Sequence, residues 1–131
     1  PELTVRHVDG VSPRRIVLSR SGSVSAIAKV QPCDVWSTSL EDLLDSLGSD
    51  GVLQLMVEGG PTVATAFHEL GLVNRYVFHV APIVSGSDNA PGVFVGEDAL
   101  PLSDCTLVSA TALGADIEIV LDPIRKKVGT S

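Results

Sequence analysis

The sequence predicts an α/β fold on a mixed sheet, mostly parallel and finishing in antiparallel strands. Three observations carry this. Up to Ala81, short continuous apolar runs, the pattern of strands covered on both faces, alternate with amphipathic helical stripes. Beyond it, two strand-like runs follow one another with no helix between them, so they pair as a hairpin. The chain has 131 residues, 44% hydrophobic and 19% charged, which is one domain with enough apolar surface for a core; disorder is excluded. Aromatic residues are only 4%, so an aliphatic core is expected.

Arg15-Ile16-Val17-Leu18-Ser19 is the first apolar run, and Val35-Trp36 a second, shorter strand. Leu40, Leu43, Leu44 and Leu47 fall at i, i+3, i+4 and i+7, one stripe of a helix. Thr38 with Glu41 three residues on has the form of a capping box, and Gly48 is placed to close the helix. Gly51 to Val57 reads as another buried strand, running straight into Glu58-Gly59-Gly60-Pro61-Thr62. Pro61 suits a first helical position; Val63, Ala66, Phe67 and Leu70 form the next stripe, and Gly71 ends it. Arg75 to Ala81 is a third buried strand, followed by a loop from Ser85 to Gly92 rich in Gly, Ser, Asp, Asn and Pro. Cys105–Ala110 and Ile117–Leu121 are the hairpin strands.

The net charge is −7, unevenly spread. Residues 1–30 carry a local +3, residues 31–124 a local −13 with Arg75 the lone base, and Arg125, Lys126 and Lys127 return +3. A net anion disfavours generic binding to nucleic acid or anionic membranes, while the basic N-terminal segment suits a small anionic ligand or a solvated face. Cys33 and Cys105, two thiols far apart in sequence, form neither a disulfide framework nor a zinc site and read as small core hydrophobes of a reducing compartment. No apolar run approaches the ~20 residues of a membrane span and no signal peptide is recognisable, so a cytoplasmic protein is expected. His68 is expected to be solvated and His79 to lie in the core or a dimer interface; for His7, which follows Arg6, reach to a phosphate is the minor alternative. No two have metal-ligand spacing, and no metal is expected.

The chemistry is expected at Val57-Glu58-Gly59-Gly60-Pro61-Thr62-Val63-Ala64-Thr65-Ala66, where a strand ends, two glycines turn the chain and a helix starts at once. The unpaired N–H groups and positive dipole end of such a helix point into the crevice at the strand's carboxyl end, where ligands of open α/β sheets sit. A Cβ in the turn would block close approach of a phosphate. Thr62 adds a hydroxyl at the rim, and Glu58 is a hydrogen-bond acceptor for a polar substrate edge. Tight αβ-loop packing is the competing reading of the glycines. Neither a Gly-Lys-Ser/Thr phosphate loop nor the three-glycine dinucleotide fingerprint is present.

Leu3-Thr4-Val5-Arg6, Arg15-Ile16-Val17-Leu18 and above all Glu58-Gly59-Gly60-Pro61-Thr62, with Ala81-Pro82 downstream, resemble the reductase domain of the bifunctional riboflavin-biosynthesis deaminase/reductase. The resemblance runs in order along essentially the whole chain. It implies a three-layer α/β/α, dihydrofolate-reductase-like fold, a homodimer, and NADPH-dependent reduction of 5-amino-6-(5-phosphoribosylamino)uracil to its ribityl form. It implies that Leu3, Arg6 and Glu58 contact substrate, Arg6 at its phosphate. It implies that Gly60, Pro61, Thr62, Val63, Ala64, Thr65 and Ala66 hold NADPH phosphate. Arg20 stands where the family has a cofactor contact that is often a small hydroxyl residue; an ion pair to the 2′-phosphate, or a hydroxyl from Ser19 or Ser21 instead, are the open alternatives. The family's Leu-Thr-Val-Arg follows Asp-Asp-Pro, and this chain opens at that Pro. The first reductase strand, a glycine-rich cofactor turn and the deaminase domain are therefore expected to lie upstream, leaving the 131 residues alone inactive. A related reductase with another pyrimidine or pterin-like substrate, and a non-catalytic piece serving in dimerisation, are the competing readings.

Overall fold

The computed structural model describes residues 2–86, 89–96 and 104–124. The Ser85–Gly92 loop lies partly, and the basic cluster Arg125–Lys127 wholly, outside them. The chain forms two compact units, dividing between Leu55 and Met56.

In the first unit, β1 (Ile16–Leu18) pairs in parallel with β2 (Asp34–Trp36), Ile16 opposite Asp34 and Leu18 opposite Trp36. The ladder is extended by Asp34 N–H to the Arg15 carbonyl at 2.8 Å and Ser19 N–H to the Trp36 carbonyl at 2.9 Å. α1 (Leu40–Ser49) follows and buries Leu43 and Leu47, two members of the expected stripe. Its cap differs by one residue from the expected box: Ser39, not Thr38, is the N-cap, accepting the Asp42 N–H at 3.1 Å. Either hydroxyl residue suits a cap chemically; Ser39 is selected because Trp36 Nε1–H donates to its carbonyl at 2.9 Å, fixing where the chain turns into the helix. The helix also runs past Gly48 and closes at Asp50 and Gly51. Arg14 donates to Asp34 at 2.6 Å and to Asp50 at 2.8 Å, tying the start of β2 to the end of α1. Hydrogen bonds to Asp50 and then Asp34 raise the Arg14 pKa further above its ordinary value.

In the second unit, α2 (Pro61–Glu69) precedes β3 (Tyr76–Val80), β4 (Cys105–Leu113) and β5 (Asp116–Pro123). The sheet order is β3-β5-β4 and all pairing is antiparallel, with a bulge between Leu107 and Ser109. The hairpin is as expected and longer than expected at both strands. Tyr76, Phe78 and Val80 share one face with Ile117, Ile119 and Leu121; Arg75 and His79 share the other with Asp122 and Glu118. Arg75 meets Asp122 through two hydrogen bonds at 2.7 and 2.8 Å. This fork raises the Arg75 pKa and holds the Asp122 carboxyl below its usual range.

Three expectations are corrected. The described strands form two sheets, one parallel and one antiparallel, not one mostly parallel sheet. The Gly51–Val57 run forms no strand: Leu53 is 99% and Met56 76% exposed. An apolar run measures a segment's preference for burial; a strand also requires a neighbouring backbone, and no described strand pairs with this one. Nor is the core purely aliphatic. The first unit buries Leu43 and Leu47; the second buries Val120 and Phe67, and its Tyr76, Phe78 and Phe94 cluster with His68. The chain's few aromatic residues are concentrated in the second unit. Cys33 and Cys105 are free and half-buried. Among the described residues no helix is long and apolar enough to cross a membrane.

Candidate functional site

The second unit opens on the turn Glu58-Gly59-Gly60 and the N-terminus of α2. Gly60 is the N-cap, so no side-chain oxygen occupies the first N–H groups of the helix. Pro61 at the first position has no N–H to leave unpaired. The Gly60 carbonyl accepts the Val63 and Ala64 N–H groups, each at 3.1 Å. That leaves the Thr62 N–H without a hydrogen-bond acceptor among the described residues, beside its own exposed hydroxyl. An orphan donor at the positive end of a helix favours an anionic group.

The two glycines differ. A Cβ built on Gly59 would lie 2.7 Å from Val63 Cβ and 2.9 Å from its Cγ1. Val63 is β-branched and stiff, so only glycine lets the turn lie this close to the helix. A Cβ on Gly60 would meet nothing within 4 Å, which leaves open space beside the uncapped helix end. Glu58, at the tip of the turn, is exposed and has no hydrogen-bond or ion-pair partner among the described residues.

The remaining helix residues separate by orientation. Val63, Ala64 and Ala66 are half-buried, and Val63 backs Gly59. Thr65 is 5% exposed, and its hydroxyl accepts the Val95 N–H at 2.9 Å and lies 3.5 Å from the Val95 carbonyl. Its side chain is therefore committed to the protein, whereas the resemblance had grouped it with the phosphate-binding residues. His68, expected to be solvated, is half-buried; its Nδ1 is 2.6 Å from the Tyr76 hydroxyl and its ring lies against Phe94. The periodicity placed it opposite the apolar stripe, but the aromatic patch that covers it comes from elsewhere in the chain. Burial first, and Cys105 second, push the Tyr76 phenol up, so at neutral pH it keeps its proton. His79 is neither core nor unpaired: it is exposed, with Nε2 3.0 Å from Glu118 Oε2.

Leu3, Arg6 and Arg20 belong to the first unit. Leu3 and His7 have φ of 49° and 62°, the left-handed region that a side chain makes costly, so the segment bearing Arg6 is bent on either side of it. Arg6 Nη2 pairs with Glu2 at 3.2 Å, both exposed. Arg20 is exposed and has no ion-pair partner among the described residues. It sits in a turn whose hydroxyls satisfy one another: Ser19 Oγ is 3.0 Å from Ser21 Oγ and donates to the Ser23 carbonyl at 2.8 Å, and Ser21 Oγ is 3.1 Å from Ser23 Oγ.

The family model described as the RibD C-terminal domain matches residues 1–119. The chain belongs to the RibD C-terminal domain family. Riboflavin biosynthesis protein RibD of Bacillus amyloliquefaciens is 26% identical over 98% of this chain and 38% of its own length. The RibD of Buchnera aphidicola is 27% identical over 63% of this chain and 23% of its own. The chain thus spans well under half the length of these relatives. Among solved structures, Acinetobacter baumannii RibD superposes with a TM-score of 0.79 at 22% identity, over 94% of this chain and 43% of that one. A diaminohydroxyphosphoribosylaminopyrimidine deaminase/5-amino-6-(5-phosphoribosylamino)uracil reductase from Thermotoga maritima gives 0.76 at 18% identity, over 94% and 41%. These likenesses show a shared mixed α/β fold with parallel and antiparallel strands.

Sequence reasoning missed Gly59 as the sterically required member of the glycine pair, and missed Thr65 as a tie to Val95. The first was in view, since a β-branched residue four positions after a glycine at a helix start is a packing signal. The second joins residues 30 apart and had no local signal.

Proposed function

We propose that the chain is the reductase part of a RibD-type enzyme, reducing 5-amino-6-(5-phosphoribosylamino)uracil to the ribityl form with NADPH. The observation that carries this reading is the uncapped α2 N-terminus with its open Gly60 and orphan Thr62 N–H, in a chain of the RibD C-terminal domain family. The donor set fits a dinucleotide phosphate: a free N–H, a hydroxyl, a helix dipole and space where a Cβ would otherwise stand. Gly60, Pro61 and Thr62 would hold that phosphate, with Val63, Ala64 and Ala66 forming the helix behind them. When bound, the cofactor supplies the hydride that reduces C1′ of the ring-opened ribose. The protein's own residues bind and orient. Glu58 accepts hydrogen bonds from the N–H edge of the pyrimidine, Leu3 contacts the substrate, and Arg6 exchanges Glu2 for the substrate phosphate, a bidentate partner that suits a guanidinium better. Arg20 is a second cation available to a phosphate. The reading includes the three-layer, dihydrofolate-reductase-like arrangement, a homodimer and a cytoplasmic enzyme.

Calorimetric titration of NADPH into the full protein, followed by loss of NADPH absorbance on adding the aminouracil substrate, tests the proposal. Saturable heat and substrate-dependent oxidation are expected; no heat at millimolar NADPH would overturn it. One observation favours a second reading. Arg6 already has Glu2 as a partner, as suits a related reductase whose pyrimidine or pterin-like substrate lacks a phosphate. In that case Arg6→Ala leaves KM unchanged.

A further inference from the structure

Thr65 is the one buried polar residue among the described side chains, and its hydroxyl is spent on a backbone 30 residues away. A mid-helix threonine ordinarily turns its Oγ1 to the carbonyl three or four residues earlier. Here Oγ1 accepts the Val95 N–H at 2.9 Å and faces the Val95 carbonyl at 3.5 Å, gripping both polar groups of one loop residue. A second contact lies alongside: the Phe94 ring packs on His68 at 5.4 Å and edge-on to Tyr76 at 6.4 Å. Thr65 and His68 are three apart and share a face of α2, so Phe94 and Val95 run along that face toward the helix N-terminus. Helical side chains lean toward the N-terminus and cover the turn before their own Cα. Val95 therefore lies on the N-terminal side of Phe94 along that face, at Thr65. Gly96 follows at once with φ of 132°, a conformation closed to other residues, and a Cβ there would meet nothing within 4 Å.

We propose that Thr65 is a positioning residue: its hydroxyl latches Val95 and so sets the Gly96 backbone beside the α2 N-terminus as a wall of the dinucleotide phosphate site. The inference rests on the cofactor reading above for its purpose but not for the latch itself. Thr65 then acts through Val95 and not by touching the ligand.

Amide hydrogen exchange in the full protein tests the latch without any ligand. The Val95 amide is expected to exchange more slowly than that of Val93, which has no such acceptor among the described residues. Thr65→Val keeps the shape and removes the hydroxyl; it should speed Val95 exchange by about five- to tenfold, the worth of one hydrogen bond. Thr65→Ser should restore protection. NADPH affinity should follow the same order, weakened several-fold in Thr65→Val and within about twofold of the parent in Thr65→Ser. A Val95 amide as fast as Val93 in the parent protein, or equally protected in Thr65→Val, overturns the latch, and the first needs no variant to fold. Lost protection with unchanged NADPH affinity overturns the positioning role. A parent protein that shows the latch but binds no NADPH overturns the cofactor reading and with it the latch's assigned purpose.

Discussion

Two turns of this molecule, Ser19–Ser23 after β1 and Glu58–Thr62 before α2, present opposite surfaces to a ligand. The first is rich in hydroxyls, yet they are spent on one another: Ser19, Ser21 and Ser23 form a chain of contacts at 2.8 to 3.1 Å. The second contains two glycines and a proline, yet it leaves an N–H, a hydroxyl and a carboxylate unpaired among the described residues. A polar turn that satisfies itself has little left to offer an anion, whereas a turn without side chains exposes backbone donors and admits close approach. Composition alone ranks the two the wrong way round. The largest effect is therefore expected at Gly60. Gly60→Val should leave the fold intact, because its φ of −71° suits any residue and no atom lies within 4 Å of its Cβ. It should weaken NADPH binding by about a hundredfold or more, measured by calorimetry, by placing a branched side chain where the phosphate goes. Unchanged affinity would remove this turn from the site.

Gly59→Ala sharpens the contrast within the pair. Its Cβ falls 2.7 Å from Val63 Cβ, so helix and turn must separate. A loss of about 1–3 kcal/mol in denaturant unfolding is expected, the usual cost of overpacking. Gly59→Ala with Val63→Ala should recover only part of it, since it removes the Cγ1 contact at 2.9 Å and leaves the Val63 Cβ in place. Recovery of stability without recovery of NADPH affinity would show that the spacing itself matters to the ligand. Glu58→Gln comes next. The side chain is exposed, so stability should change by less than about 0.5 kcal/mol. Turnover should fall by about tenfold if the carboxylate accepts from the pyrimidine. Equal losses in both would make Glu58 structural.

How much of this was legible follows from the range of each interaction. α1, α2 and the β4–β5 hairpin were readable because their patterns are local: Leu43 and Leu47 four apart, Pro61 at a helix start, two strand-like runs with no helix between them. Leu53 to Val57 has as good a strand pattern as any, but its fate depends on a partner no local pattern supplies. The family was legible from the Glu58–Thr62 motif, and the family model bears that out. Within the motif only three-dimensional packing separates Gly59, which backs Val63, from Gly60, which faces space, and just beyond it the same holds for Thr65, which faces Val95. His68 shows the same limit, because Tyr76 and Phe94, which bury it, come from two other segments.

The smallest effect is expected in the serine turn, and it can break the comparison. Arg20 is the exposed group there with no partner among the described residues, so any contribution to a phosphate is a screened surface attraction. Arg20→Gln should weaken NADPH binding by about two- to fivefold at low ionic strength, with the difference gone at ~0.5 M salt, where the Debye length is a few ångströms. Ser21→Ala should do less still, because its hydroxyl already lies between Ser19 and Ser23 and releasing it costs the ligand nothing. NADH, which lacks the 2′-phosphate, separates the two effects: Arg20→Gln should leave its affinity unchanged if the cation faces that group. If Ser21→Ala instead weakens NADPH more than Arg20→Gln, at both low and high salt, the hydroxyls trade their partners for the ligand. The turn would then be a preformed cradle and not a self-satisfied loop.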